Sequence, residues 1–179
     1  MDRKTYVQRF ARLQQEMKQA KVDLVLFADR EDLIYYTGMT NFDCLSMVIP
    51  AEGEPHIVCL WLDAEYVRSA VPSERVTPYV FPAASLGATT ADVIRGMGYA
   101  GPRIGVGKYF LEIGVYDALR RAMPQAEFVG MTTSCYRVRA VKDPSEIAFM
   151  RRAGDIAVEG MKAAVAAVAP GRREVEIAA

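Results

Sequence analysis

The chain has 179 residues, of which 51% are hydrophobic, and its 22 basic residues balance its 22 acidic ones. That length supports one good core, or one domain with a fragment of a second. Zero formal charge and the lack of a polybasic run leave nothing that favours nucleic acid or a membrane surface, and abundant apolar residues argue against disorder.

The first predicted element is a helix over residues 3 to 20. Tyr6, Phe10, Leu13, Met17 and Ala20 recur at steps of three and four and share one face. Asp23 to Ala28 is a short apolar run that suits a buried strand. A short helix follows over residues 29 to 36. Its start carries Asp29, Glu31 and Asp32, where the helix dipole favours acid, and Gly38 stops it by taking positive φ. The loop Thr37 to Asp43 mixes glycine, polar groups and an aromatic between a helix and a strand, a composition typical of binding loops.

Cys44 to Ile49 and His56 to Leu62 read as two strands, and the turn formers of Pro50 to Pro55 join them as a hairpin. Asp63 to Ala70 is expected to be helical. Arg75 to Phe81 is expected as a strand near an edge, because proline cannot donate to a central ladder. Then come a helix over 85 to 97, a strand over 103 to 107, a helix over 113 to 123, a strand over 126 to 131 and a helical turn over 135 to 141. Alternation of strands and helices around one central hairpin predicts an α/β fold, a mixed sheet of about six strands flanked by helices.

The last stretch is dense in start signals. Asp143 suits an N-cap, Pro144 the first helical position, and Glu146 completes a capping-box pattern. The helix expected from about Pro144 to Ala169 carries Ile147, Met150, Gly154, Ala157, Val158, Met161, Val165 and Val168 as an apolar stripe that needs a partner surface. A further helix begins near Arg173. The chain therefore reads as cut within a second domain. The expected boundary is residue 139, with residues 1–139 as one domain and 140–179 as the junction and first helices of the next.

Several motifs fail on inspection. Gly105-Val-Gly107-Lys108 is not a P-loop, since Pro102 and Tyr109 stand where glycine and Ser or Thr are required. The dinucleotide pattern fails at Phe110, which leaves a tight strand exit. His56 is the sole histidine and offers no ligand spacing. Cys44, Cys59 and Cys135 are odd in number and widely spaced, so packed, reduced thiols in a cytoplasmic protein are expected. The amino terminus has no signal-peptide pattern, and no apolar run is long enough to span a bilayer.

Four places together resemble the N-terminal domain of the pita-bread metallopeptidase family, which includes prolidase, Xaa-Pro aminopeptidase and creatinase. They are the opening helix with Arg9 and Leu13 before Val22-Asp-Leu-Val-Leu; Leu33-Ile-Tyr-Tyr-Thr-Gly38; Arg103-Ile-Gly-Val; and Arg139 to Ile147 with Arg151, Ala153 and Pro170-Gly171. The segment ending at Gly38 lacks the family's usual Leu before Thr-Gly.

The resemblance implies a ribonuclease-H-like domain that supports dimer formation and gates substrate. It also implies a following catalytic domain whose two Asp, one His and two Glu hold two divalent metals (Mn, Co or Zn). Those ligands fall beyond residue 179, so no catalytic, metal or cofactor-binding residue is assigned to this fragment, which is expected to be inactive alone. The resemblance further implies that the loop Thr40, Asn41, Phe42 and Asp43 approaches the active site of a neighbouring subunit. There Asp43 would pair with a cationic substrate end and Phe42 would cover an apolar ring. The implied partners are a second copy of the chain and, in the whole protein, a peptide substrate. Two alternatives stand beside this reading: a metal-free creatinase-type amidinohydrolase, and a non-catalytic module that binds peptides or proteins.

Overall fold

The structure is a computed structural model and describes residues 3–71, 75–107 and 111–178. It divides into two compact units, residues 1–138 and 139–179.

The first unit is built on a six-stranded mixed sheet in the order β4-β3-β2-β1-β5-β6. The strands are β1 (Leu24–Phe27), β2 (Ser46–Pro50), β3 (His56–Leu60), β4 (Val76–Tyr79), β5 (Arg103–Val106) and β6 (Glu127–Gly130). The helices of this unit are α1 (Arg3–Ala20), α2 (Arg30–Thr37), α3 (Ala64–Ala70), α4 (Leu86–Gly96), α5 (Ile113–Ala122) and α6 (Thr132–Ala140). The expected hairpin is present: β2 pairs antiparallel with both β1 and β3. The remaining pairs, β1 with β5, β3 with β4 and β5 with β6, are parallel. β4 lies at the sheet edge with Pro78 inside it, where a missing donor does least harm.

Strand alternation divides the core in two. Val25 and Phe27 of β1, with Met47 and Ile49 of β2, join Leu13, Met17, Tyr36, Val67 and Cys135 on one face. Leu24, Leu26 and Val48 join Ile94, Val115 and Leu119 on the other. Each face is therefore closed by helices, which is why β1 is apolar at every position rather than at alternate ones. The stripe of α1 behaves as its spacing predicts, with Tyr6, Phe10, Leu13 and Met17 all buried.

Three details differ from the sequence expectations. The strand from His56 stops at Leu60, and Trp61–Asp63 form a 3₁₀ turn instead. Leu60 is the last residue with a partner on β4, so the apolar run outlasts the ladder and leaves Trp61 and Leu62 exposed. The short turn expected after residue 135 is a full helix, begun at Thr132, because Cys135 and Val138 face the core one turn apart. Of the three cysteines expected to be packed, Cys59 and Cys135 are buried but Cys44 is exposed, on a loop with no ladder or helix to enclose it; none of the three is in a disulfide.

The second unit holds α7 (Pro144–Ala167) and α8 (Glu174–Ala178). The expected capping box at Asp143 and Glu146 is formed in both directions. No residue of α7 is buried, so its apolar stripe stands open. No helix among the described residues is long and apolar enough to cross a membrane.

Candidate functional site

The loop between α2 and β2 is held by the helix that precedes it. Asp29 caps α2 by accepting from the Asp32 amide at 3.0 Å. Gly38 ends the helix with φ of 72°, a left-handed conformation that suits glycine, and its N–H closes on the Ile34 carbonyl. The last carbonyls of a helix lack internal partners. Here α1 supplies them: the Tyr6 hydroxyl donates to the Thr37 carbonyl and Arg9 donates to the Tyr35 carbonyl. A cation at a helix C-terminus also suits the dipole. Tyr36 stacks between Phe10 and Phe27, with ring centroids 5.6 and 5.1 Å away, so α2 is clamped on its apolar side as well.

From Gly38 the chain runs as a loop to the start of β2 at Ser46. Met39 and Leu45 are buried at its two ends, and Phe42 between them is half-buried against the same core. Thr40, Asn41 and Asp43 are exposed. The four residues singled out by sequence therefore do unlike work. Phe42 anchors the loop inward, while the other three present polar side chains outward. Phe42 is seated inward by the core that α1, α2 and the sheet assemble, which the polar composition of the loop does not signal.

Beside the loop lies a cleft of about 200 Å³, lined in part by Arg30, Phe42, Asp43, Cys44, Leu86 and Glu112. It opens beyond the carboxyl end of β1, where open α/β sheets tend to place ligands. Its charged lining residues are Arg30, Asp43 and Glu112. Burial, then the charge of Asp43, with Glu112 contributing less, pushes the Cys44 thiol up, so this exposed cysteine is no activated nucleophile. Tyr79, whose hydroxyl donates to the Cys44 carbonyl at 3.4 Å, is pushed up to about 12 by burial and by Cys44. Neither Arg30 nor Glu112 drew notice in the sequence, because each reaches the cleft from a different element.

The discarded motifs find structural roles. Gly107 sits where a β-carbon would come within 2.2 Å of the Phe27 ring and 3.0 Å of an Asp32 carboxylate oxygen, so the strand exit needs glycine for close approach. Lys108, Tyr109 and Phe110 lie outside the described residues. His56 is half-buried, with Nε2 2.8 Å from the Thr77 hydroxyl on the neighbouring strand, and burial, then Arg75, lowers its pKa. Among the described residues no three His, Cys, Asp or Glu side chains gather closely enough to hold a metal ion. The donor set that a dinuclear centre requires is therefore not found among them.

Residues 9–141 match the creatinase/prolidase N-terminal domain family model. An uncharacterised hydrolase/peptidase of Sinorhizobium fredii, y4tM, is 26% identical over 187 residues, spanning 97% of this chain and 48% of that one. The ectoine hydrolase of Halomonas elongata is 24% identical over 175 residues, spanning 89% of this chain and 43% of its own length. The chain thus spans about half the length of the curated relatives it matches. The Xaa-Pro dipeptidase of Bacillus anthracis shares the fold, with a TM-score of 0.83 at 19% identity over 96% of this chain and 46% of that one.

Proposed function

This chain belongs to the creatinase/prolidase N-terminal domain family, and from that premise we propose that it is the substrate-gating and oligomerisation domain of a prolidase-like or Xaa-Pro aminopeptidase-like hydrolase, inactive alone. The observation that carries the proposal is the loop: Thr40, Asn41 and Asp43 are exposed on a backbone pinned by Met39, Phe42 and Leu45, beside a cleft lined in part by Arg30, Asp43 and Glu112. A rigid base with a polar rim suits contact with a substrate held by another part of the assembly. Asp43 would meet a cationic group there; Phe42, turned inward, would support the loop rather than cover a ring.

The whole protein would carry two divalent metals (Mn, Co or Zn), which activate water and polarise a scissile carbonyl. None of their ligands is assigned to the described residues. A homodimer is the proposed assembly. It is supported by the exposed apolar side chains Trp61, Leu62, Val80 and Phe81, which follow directly on the paired ends of β3 and β4. The proposed compartment is the cytoplasm, in keeping with three cysteines outside any disulfide.

The test is kinetic. In an enzyme that carries this chain, replacing Thr40, Asn41 and Asp43 by alanine is expected to raise KM for a Xaa-Pro dipeptide several-fold with kcat largely kept. An unchanged KM removes the loop from the substrate. Hydrolysis of the same dipeptide by the chain alone would overturn its role as an inactive domain.

The ectoine hydrolase among the relatives favours a second reading, in which the whole protein acts on a small non-peptide molecule, as a metal-free creatinase-type amidinohydrolase does. Activity on such a molecule that survives a chelator, with none on dipeptides, would decide for it.

A further inference from the structure

Arg30 is the first residue of α2, yet it reaches the loop that follows the far end of the helix. Its Nη2 donates to the Thr40 carbonyl at 2.6 Å, and its guanidinium carbon lies 5.5 Å from the centroid of the Phe42 ring. Two points of the loop are thus gripped by one side chain. The grip is possible because the fold brings the Thr40 carbonyl and the Phe42 ring within reach of the Arg30 guanidinium. The apolar anchors Met39, Phe42 and Leu45 fix the base and one flank, but they do not set the path of Thr40 and Asn41, which are exposed. The hydrogen bonds of the Met39 and Cys44 amides are local, to Thr37 Oγ1 and Asp43 Oδ1. Among the described residues, Arg30 supplies the side-chain hydrogen bond that ties the stretch from Thr40 to Asp43 to a neighbouring element.

We propose that Arg30 is a positioning residue that sets the conformation of the Thr40–Asp43 loop, holding Thr40 by a carbonyl hydrogen bond and Phe42 by the approach of its guanidinium over the ring. The proposal rests on the reading of this loop as the substrate edge, and it adds the residue that shapes that edge. The chemistry calls for arginine in particular. A guanidinium can donate in its own plane while presenting a flat face to a ring, whereas the ammonium of lysine is a compact point charge. A lysine at position 30 keeps the charge and loses that combination.

Hydrogen exchange followed by mass spectrometry on the chain is the test, read on peptides that span residues 38 to 45. Arg30→Ala is expected to speed exchange in that segment about fivefold, equivalent to roughly 1 kcal/mol of lost local protection. Peptides from β1 and β5 should exchange as before, and Arg30→Lys should be as fast as Arg30→Ala. Unchanged exchange in Arg30→Ala, an acceleration shared by the strands, or full restoration by lysine would each overturn the assignment. A parallel measurement separates this inference from the reading beneath it. In an enzyme carrying the chain, Arg30→Ala should raise KM with little change in kcat. Faster exchange with an unaltered KM would leave Arg30 as the loop's positioning residue and remove the loop from the substrate.

Discussion

The Arg9 guanidinium donates to the Tyr35 carbonyl and lies 4.1 Å from the centroid of the Tyr35 ring. One buried cation thereby satisfies a helix-end acceptor and packs on the side chain of the same residue. The pair joins α1 to the C-terminal turn of α2, from which the candidate loop departs.

Removing Arg9 should therefore cost more than a surface arginine. Arg9→Ala leaves a buried carbonyl without its charged donor and opens a void, for roughly 2 to 4 kcal/mol of lost stability. Urea unfolding should show a lower midpoint with an unchanged slope. A loss below about 0.5 kcal/mol, the range of ordinary surface substitutions, would show that the Arg9–Tyr35 pair does not hold α2.

Gly107→Ala should destabilise by about 1 to 3 kcal/mol through overpacking against Phe27. Gly130→Ala serves as the control, since a β-carbon there meets nothing within 4 Å. Its midpoint should stay within about 0.5 kcal/mol of the parent. Equal effects at the two glycines would contradict the close approach at the end of β5.

His56 gives a pH dependence of definite sign. Its folded pKa lies below the ordinary 6.5, because burial and Arg75 disfavour the imidazolium. Below that pH the unfolded chain takes up the proton more readily than the folded one, so this contribution to stability is present above pH 6.5 and is lost as pH falls. Melting temperatures of the parent and His56→Asn, measured from pH 7.5 to 5.5, should diverge in slope, with the parent falling more steeply. Parallel profiles would mean that the imidazole does not titrate differently on folding.

In the second unit, Asp143 accepts from the Glu146 amide at 2.9 Å, and the Glu146 carboxylate accepts from the Asp143 amide at 2.9 Å. Asp143→Ala breaks one half of this box and should cost about 1 kcal/mol at the start of α7. Backbone chemical shifts of residues 144 to 150 would register the fraying. Shifts that stay fully helical would show that the first turn is held by something other than its cap.

Much of the architecture was legible because it follows from short-range rules. The stripe of α1, the stop at Gly38, the central hairpin, the edge position of the strand containing Pro78 and the capping box at Asp143 each depend on residues within a few positions of one another. The loop from Thr40 to Asp43 was legible as a place but not as a shape. Its polar composition marked it, while the inward seating of Phe42 depends on a core assembled from α1, α2 and the sheet.

The sequence by itself determined the order of elements, the two-sided burial of β1 and the family pattern spread from Arg9 to Ile147, since periodicity, turn chemistry and local motifs are all written along the chain. Only the tertiary structure decided that Tyr6 and Arg9 would complete the end of α2, that Gly107 would face Phe27 and Asp32, and that Arg30 would grip a loop beyond the far end of its own helix. Those contacts arise where separate elements are brought together by packing, and neither residue of such a pair carries a local signal of the other.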